Sequence, residues 1–151
     1  MIARQGLVSV VIPAFNKPEY TRKTIHSVMS QTYRPIEIIL SDDNSPTSLK
    51  PLADEKKAQC GPGLDIKYFR QKENLNYYWN LQFCMKEATG QYLVLLDHDD
   101  WLIDCDFFSD AIKAIEDRTD CYLSIANTFI EGSPQTILNV HYDRWHYVDG
   151  P

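Results

Sequence analysis

The stretch Tyr92-Leu93-Val94-Leu95-Leu96-Asp97-His98-Asp99-Asp100-Trp101 decides how the chain is read. Its apolar run leads directly into three carboxylates packed into four positions. A short run of this kind, preceded by Gly90, reads as a strand buried on both faces, the usual state of a central parallel strand. Ligands of open α/β sheets bind beyond the carboxyl ends of such strands. Residues two apart on an extended chain point the same way, so Asp97 and Asp99 aim at one point while His98 faces away in a structural role. Acids crowded together call for a cation between them, and oxygen-only donors suit Mn²⁺ or Mg²⁺. Acids that cap a helix or are merely solvated give the same short pattern, so the rest of the chain must supply the context.

Working outward, Leu7-Val8-Ser9-Val10-Val11-Ile12 is a second strand of the buried parallel type, with Pro13 expected to end it. Asn16 is the expected N-cap of a helix over 18–30, whose Thr21, Ile25, Val28 and Met29 share one face. Ile36-Glu37-Ile38-Ile39-Leu40 is another strand, ending in Ser41-Asp42-Asp43-Asn44-Ser45-Pro46. A weaker helix over 47–58, interrupted by Pro51, precedes the Gly61-Pro62-Gly63 turn and a short strand Ile66-Lys67-Tyr68-Phe69. Asn74-Leu75-Asn76 then leads into a helix of about 12 residues ending at Thr89, with a stripe of Leu81, Cys84, Met85 and Ala88 and with Gly90 as its C-cap. Beyond the acidic stretch come a helix from Asp106 to Asp117, with Phe107, Ala111, Ile112, Ala114 and Ile115 mostly inward, and a strand from Cys121 to Ile130. Strands alternating with helices predict an α/β fold: a mostly parallel central sheet with right-handed crossovers and helices on both faces. Residues 1–131 form the expected domain, and 132–151 a partial tail or strand pair with aromatics Tyr142, Trp145 and Tyr147.

The composition narrows the partners. At 151 residues the chain is about one domain's worth, and 44% hydrophobic with 24% charged residues is ordinary globular composition. Fifteen basic against 21 acidic residues, a net charge of −6, argue against a general nucleic-acid binder while leaving room for a local basic pocket. Cys60, Cys84, Cys105 and Cys121 form no C-x-x-C pair and read as buried thiols of a reducing compartment. No apolar leader and no run of membrane-spanning length occurs. The expected location is the cytoplasm, with at most a peripheral hold on the inner face of the membrane.

Three loops leave carboxyl ends of strands: Pro13-Ala14-Phe15-Asn16, Ser41-Asp42-Asp43-Asn44-Ser45 and Asp97-His98-Asp99-Asp100. Clustered on one sheet edge, Phe15 would flank a base, Asp43 would accept from a base N–H, and metal-held carboxylates would take a diphosphate. Neither G-x-G-x-x-G nor a P-loop is present, so phosphate charge must be met by a metal or by basic side chains.

Val8-Ser9-Val10-Val11-Ile12-Pro13-Ala14-Phe15-Asn16, Ser41-Asp42-Asp43-Asn44-Ser45, and Ala88-Thr89-Gly90-Gln91-Tyr92 leading into Asp97-His98-Asp99-Asp100 together resemble family 2 glycosyltransferases of the GT-A fold, from about residue 7 to about residue 130. The resemblance implies inverting transfer of a sugar from a nucleotide diphosphate donor, most often a UDP-sugar, to a saccharide or lipid-linked acceptor hydroxyl. It implies that Pro13 and Phe15 line the nucleoside pocket, that Asp43 reads the base, and that Asn74 and Asn80 lie near base and donor sugar. It also implies that Asp97 and Asp99 hold the divalent ion. Where the family usually carries a glycine and often an arginine, this chain has the bulky Leu75-Asn76-Tyr77-Tyr78-Trp79-Asn80. The family's general base belongs to an acceptor-binding region after the last strand, where Asp143 and Asp149 are the carboxylates in the tail. Two other readings compete: a non-catalytic nucleotide- or glycan-binding domain, and a metal-dependent phosphatase with an Asp nucleophile in D-x-D. The phosphatase pattern normally follows the first strand, whereas here the acids follow the fourth.

Overall fold

The computed structural model describes residues 3–117, together with the backbone of 128–129 and 137–138. Four strands form one sheet: β1 (Arg4–Ala14), β2 (Ile36–Asp42), β3 (Leu64–Arg70) and β4 (Gly90–Leu95). Their order is β3-β2-β1-β4 and every pairing is parallel. Between them run α1 (Pro18–Met29), α2 (Lys50–Ala58) and α3 (Asn76–Glu87), and α4 (Phe107–Glu116) follows β4. Parallel neighbours need such crossovers, and the alternation expected from the sequence is present.

The two faces of the sheet are filled differently. Val8, Val10, Ile12, Ile36, Ile38 and Leu40 alternate onto one face, where Ile25 and Val28 of α1, Leu52 and Ala53 of α2, and Phe108 and Ile112 of α4 close over them. Val11 and Ile39 face the other way and meet Cys84, with Leu81 and Ala88, from α3. The chain winds outward from β1 to β2 to β3, then crosses back beneath the sheet through α3 to lay β4 on the other side of β1. The strand order therefore reverses between β1 and β4, and a crevice at such a switch point is where doubly wound sheets bind ligands.

Several local expectations give way to packing. β4 is the outer strand of the described sheet: Tyr92 and Val94 pack on the core, but Leu93 and Leu95 are 47% and 50% exposed. An apolar run looks the same on a central and an outer strand, because pairing order is not written in it. Pro13 does not end β1 but lies inside it, opposite Ser41. Val11 accepts from Leu96 on the β4 side and Ala14 from Asp43 on the β2 side. By alternation the nitrogen of Pro13 faces β4, beyond the last β4 pair at Leu95, so no ladder bond is lost. Pro51 likewise stands in the first turn of α2, where its missing N–H costs nothing, instead of interrupting the helix.

Gly90 opens β4 and is not a helix cap. A Cβ there would lie 2.5 Å from the Leu7 carbonyl oxygen and 2.7 Å from Ser9 Oγ, so the position needs glycine for close approach of two strands. Asn16 makes no cap; Lys17 holds that position without a side-chain bond. Met85 is exposed, and Phe108 rather than Phe107 is the fully buried anchor of α4. Of the expected buried thiols, Cys84 is buried, Cys60 half-buried and Cys105 exposed. The expected strand from Cys121 to Ile130 is described only at β5 (Thr128–Phe129), which pairs antiparallel with β6 (Ile137–Leu138). Among the described residues no helix is long and apolar enough to cross a membrane.

Candidate functional site

Three loops meet at the carboxyl edge of the sheet. The first leaves β1 through Asn16 and Lys17, both in the left-handed region at φ 58° and 51°. The second leaves β2 through Asp42-Asp43-Asn44-Ser45, with Asn44 at φ 57°. The third is Asp97-His98-Asp99-Asp100 after β4. Asn16 N donates to Ser45 Oγ at 2.8 Å and Lys17 Nζ to Asp99 Oδ2 at 2.9 Å, so the first loop is stitched to both others.

The two acids at the end of β2 have separate tasks. Asp42 is fully buried: Oδ1 accepts from Ser45 N at 2.8 Å, and Oδ2 accepts from Leu49 N, the Tyr68 hydroxyl and Arg70. Burial alone would raise its carboxyl, but the hydrogen bonds from Ser45, Leu49 and Tyr68 hold it below the ordinary range. This side chain shapes the loop from within. Asp43 is 3% exposed and faces the other way, its Oδ1 accepting from Leu75 N at 2.7 Å. Among the described residues its second carboxylate oxygen has no hydrogen-bond partner, so one acceptor remains for a ligand N–H.

The start of α3 spans the crevice. Asn74 Nδ2 donates to the Asp43 carbonyl at 3.2 Å, and its Oδ1 accepts from Asn76 N. Asn76 sits at φ 65°, a conformation natural to glycine that asparagine tolerates. One residue on, the Tyr77 hydroxyl donates to Asp97 Oδ1 at 2.8 Å. Burial first, then the bond and charge of Asp97, push this hydroxyl up to about 12, so it stays a donor across the neutral range.

Asn80 is placed differently from a ligand-facing residue. It is 1% exposed; its Oδ1 accepts from Ser41 Oγ at 2.5 Å and its Nδ2 donates to the Ser41 carbonyl at 3.1 Å. Both ends of the amide are spent on fixing α3 to β2. Pro13 is buried in β1, and Phe15, beyond it, is 40% exposed at the mouth. Asp143 and Asp149 lie outside the described residues.

Charge is concentrated on the third loop. Burial and the charges of Asp97 and Asp99 raise the carboxyl of Asp100, whereas the Lys17 bond lowers that of Asp99. Helix α1 holds the loop from behind: Thr24 Oγ1 donates to the His98 carbonyl at 2.9 Å and Ser27 Oγ accepts from Leu102 N. His98 Nε2 is buried without a hydrogen-bond partner among the described residues. Trp101 lies beneath Lys23, whose ammonium is 4.8 Å from the ring centroid. The carboxylate oxygens of Asp97 and Asp99, on one strand-end loop, are donors of the kind that suits a hard divalent ion. Among the described residues the trio of potential ligands whose donor atoms lie within 4.8 Å of one another is exposed Asp104, Cys105 and Asp106, and not the acids of the third loop. There Asp104 Oδ1 accepts from Asp106 N, a local turn bond, and Asp106 Oδ1 accepts from Thr32 Oγ1, which ties the turn to the segment just after α1.

Lys17 and Tyr77 were not singled out as site residues from the sequence. The one available signal was electrostatic: without a glycine-rich cradle, a basic residue directly after a strand-end loop is a natural neighbour for acids and phosphates.

Comparison with known proteins gives the family and the fold. An uncharacterised glycosyltransferase of Rickettsia conorii is 36% identical over 94 residues, 62% of this chain and 15% of that protein. The GalNAc(5)-diNAcBac-PP-undecaprenol beta-1,3-glucosyltransferase of Campylobacter jejuni is 33% identical over 100 residues, covering 64% of this chain and 30% of its own length. The chain thus spans less than a third of either relative. Among solved structures, residues 1–349 of TarS from S. aureus superpose with a TM-score of 0.65 at 21% identity, over 73% of this chain and 32% of that one. The mannosyltransferase PcManGT of Pyrobaculum calidifontis, in complex with GDP-Man and Mn²⁺, gives 0.64 at 21% identity, over 70% and 31%. These establish the GT-A fold. The family described as Glycosyl transferase family 2 matches residues 9–148, nearly the whole chain, and the chain belongs to that family.

Proposed function

We propose that this chain is the nucleotide-sugar-binding part of a glycosyltransferase that transfers a sugar from a UDP-sugar to an acceptor hydroxyl with inversion. The observation that carries the reading is the double attachment of the α3 start. Asn74 and Leu75 hold Asp43 at one end of the crevice, and Tyr77 holds Asp97 at the other. In this reading Asp43 accepts from the base N–H, with Pro13, Phe15 and Asn74 around the nucleoside. Asn80 contributes by fixing the helix that carries this turn. Asp97 and Asp99 would hold Mn²⁺ or Mg²⁺, which supplies Lewis-acid stabilisation of charge on the departing diphosphate. The complexes of TarS with UDP-GlcNAc and of PcManGT with GDP-Man and Mn²⁺ support a nucleotide-sugar donor and a metal.

Residues 1–131 are the donor domain, and 132–151 begin an acceptor-binding region in which Asp143 or Asp149 is the candidate general base. The acceptor is a saccharide or lipid-linked saccharide, and the work is done in the cytoplasm at the inner face of the membrane. The undecaprenol-linked substrate in the name of the Campylobacter jejuni relative supports this placement and a role in polysaccharide assembly. The test is competition between bases. Calorimetric titration in Mn²⁺ should show UDP binding at least tenfold more tightly than GDP; a preference for GDP would overturn the UDP assignment.

A further inference from the structure

The Lys17–Asp99 pair has a construction unlike a casual surface contact. Lys17 is a non-glycine residue at φ 51° and ψ 56°, preceded by Asn16 at φ 58°. Two successive left-handed residues are unfavourable for L-amino acids and persist only where the surroundings impose them. Here the surroundings are identifiable. Asn16 N is tied to Ser45 Oγ at 2.8 Å, and the Lys17 carbonyl accepts from Thr21 N at 3.1 Å and from Thr21 Oγ1. The backbone is therefore anchored to the loop after β2 on one side and to α1 on the other. The side chain, 53% exposed, projects to Asp99 Oδ2 at 2.9 Å.

The two acids read as metal-holding are thus met by donors of different kinds. Tyr77 offers Asp97 a neutral hydroxyl, which orients the carboxylate and leaves its charge in place. Lys17 offers Asp99 a full positive charge. An ammonium and a divalent ion on one carboxylate compete for the same lone pairs and repel each other. While it holds Asp99 the ammonium already lies 5.7 Å from the Tyr20 ring centroid, a ring that Lys23 also approaches at 5.9 Å, and the exposed side chain can be released to water.

We propose that Lys17 is a tethered cation that competes with the divalent ion for Asp99 and thereby sets the metal affinity of the site. This rests on the reading of Asp97 and Asp99 as the metal-holding pair. Ion binding exchanges one cation for another on Asp99, with the Lys17 ammonium released to solvent, while the anchored loop keeps its shape.

The test uses Mn²⁺ alone, with binding followed by the paramagnetic resonance signal of the free ion. Lys17→Met keeps the aliphatic stem and removes the competitor. An exposed pair of this kind accounts for about a two- to fivefold gain in Mn²⁺ affinity. Lys17→Arg, which keeps the cation, should remain within about twofold of wild type on the same scale. Should wild type bind too weakly to measure, the appearance of binding in Lys17→Met supports the proposal and its absence overturns it. Asp99→Asn separates the layers. If it loses Mn²⁺ while Lys17→Met binds no more tightly than wild type, the competition is wrong and the metal assignment stands. If Asp99→Asn binds Mn²⁺ as wild type does, both fall.

Discussion

The hydroxyl of Tyr77 donates to Asp97 Oδ1 at 2.8 Å, joining the first turn of α3 to the loop that leaves β4. The same turn donates through Leu75 N to Asp43 Oδ1 at 2.7 Å. One short segment therefore sets the orientation of two acids that belong to different strands. Tyr77→Phe should leave the fold intact, since the ring is 52% exposed, while lowering Mn²⁺-dependent UDP affinity. Loss of one hydrogen bond to a carboxylate predicts a decrease of about threefold to tenfold. Calorimetry with the nucleotide and metal together, beside a urea melt, checks both halves of the statement.

Asp43 should affect the base and not the metal. Asp43→Asn keeps an oxygen for Leu75 N and turns the second oxygen into an amide that cannot accept from a base N–H. UDP affinity should fall about tenfold or more, the size of a charge-assisted hydrogen bond, with Mn²⁺ affinity unchanged. A parallel loss of Mn²⁺ would show that the two ends of the crevice are not separable.

At the opposite end of the sheet, Glu37 predicts an acid limb of stability. Its side chain is 3% exposed. Oε1 accepts from Ser9 Oγ at 2.6 Å, from Thr89 N at 2.7 Å and from Thr89 Oγ1 at 2.9 Å, and Oε2 from Lys67 Nζ at 2.6 Å. Burial alone would raise its carboxyl, yet Lys67, Ser9 and Thr89 outweigh that and lower it from 4.5 to about 2. A carboxyl lowered in the folded state stabilises fully above its unfolded value and loses that contribution as pH falls from 4.5 to about 2. The amount is about 3 kcal/mol. Glu37→Gln should lose about that much at neutral pH and should flatten the stability profile within that window, as read from urea melts at several pH values.

Gly90→Ala places a methyl group where the Leu7 carbonyl and Ser9 Oγ already stand, at 2.5 Å and 2.7 Å. Backbone cannot yield as a flexible side chain does, so the cost should be about 1–3 kcal/mol or more, as in other overpacked sites. Thermal or urea unfolding measures it directly, and an unchanged midpoint would show that β1 and β4 can separate at that point.

Much of this was legible in the chain. β1 and β2 were readable because strands buried on both faces need continuous apolar residues, and Val8 to Ile12 and Ile36 to Leu40 provide them. The acids after β4 were readable because three carboxylates crowd into four positions directly after such a run, although Asp42 at the end of β2 shows that an acid there can also serve structure alone. What could not be read were relations between distant segments. β4 carries the same kind of run as β1 yet lies at the edge of the described sheet, because its neighbours are set by the crossover of α3. Asn80 looks like any polar residue on a helix until Ser41 is placed beneath it. Lys17 becomes a site residue only through the left-handed turn that aims it at Asp99, 82 positions away. Gly90, a plausible helix cap by position, is required by strand contact instead.

In the proposed site Asp97 and Asp99 hold a divalent ion that in turn holds the nucleotide diphosphate. Calorimetric titration of UDP into the wild type and into Asp99→Ala, each with and without Mn²⁺, tests it most directly. Strong binding is expected only for the wild type with Mn²⁺, and weak, metal-independent binding for the variant. Equal UDP affinity in wild type and Asp99→Ala, both in Mn²⁺, would contradict it.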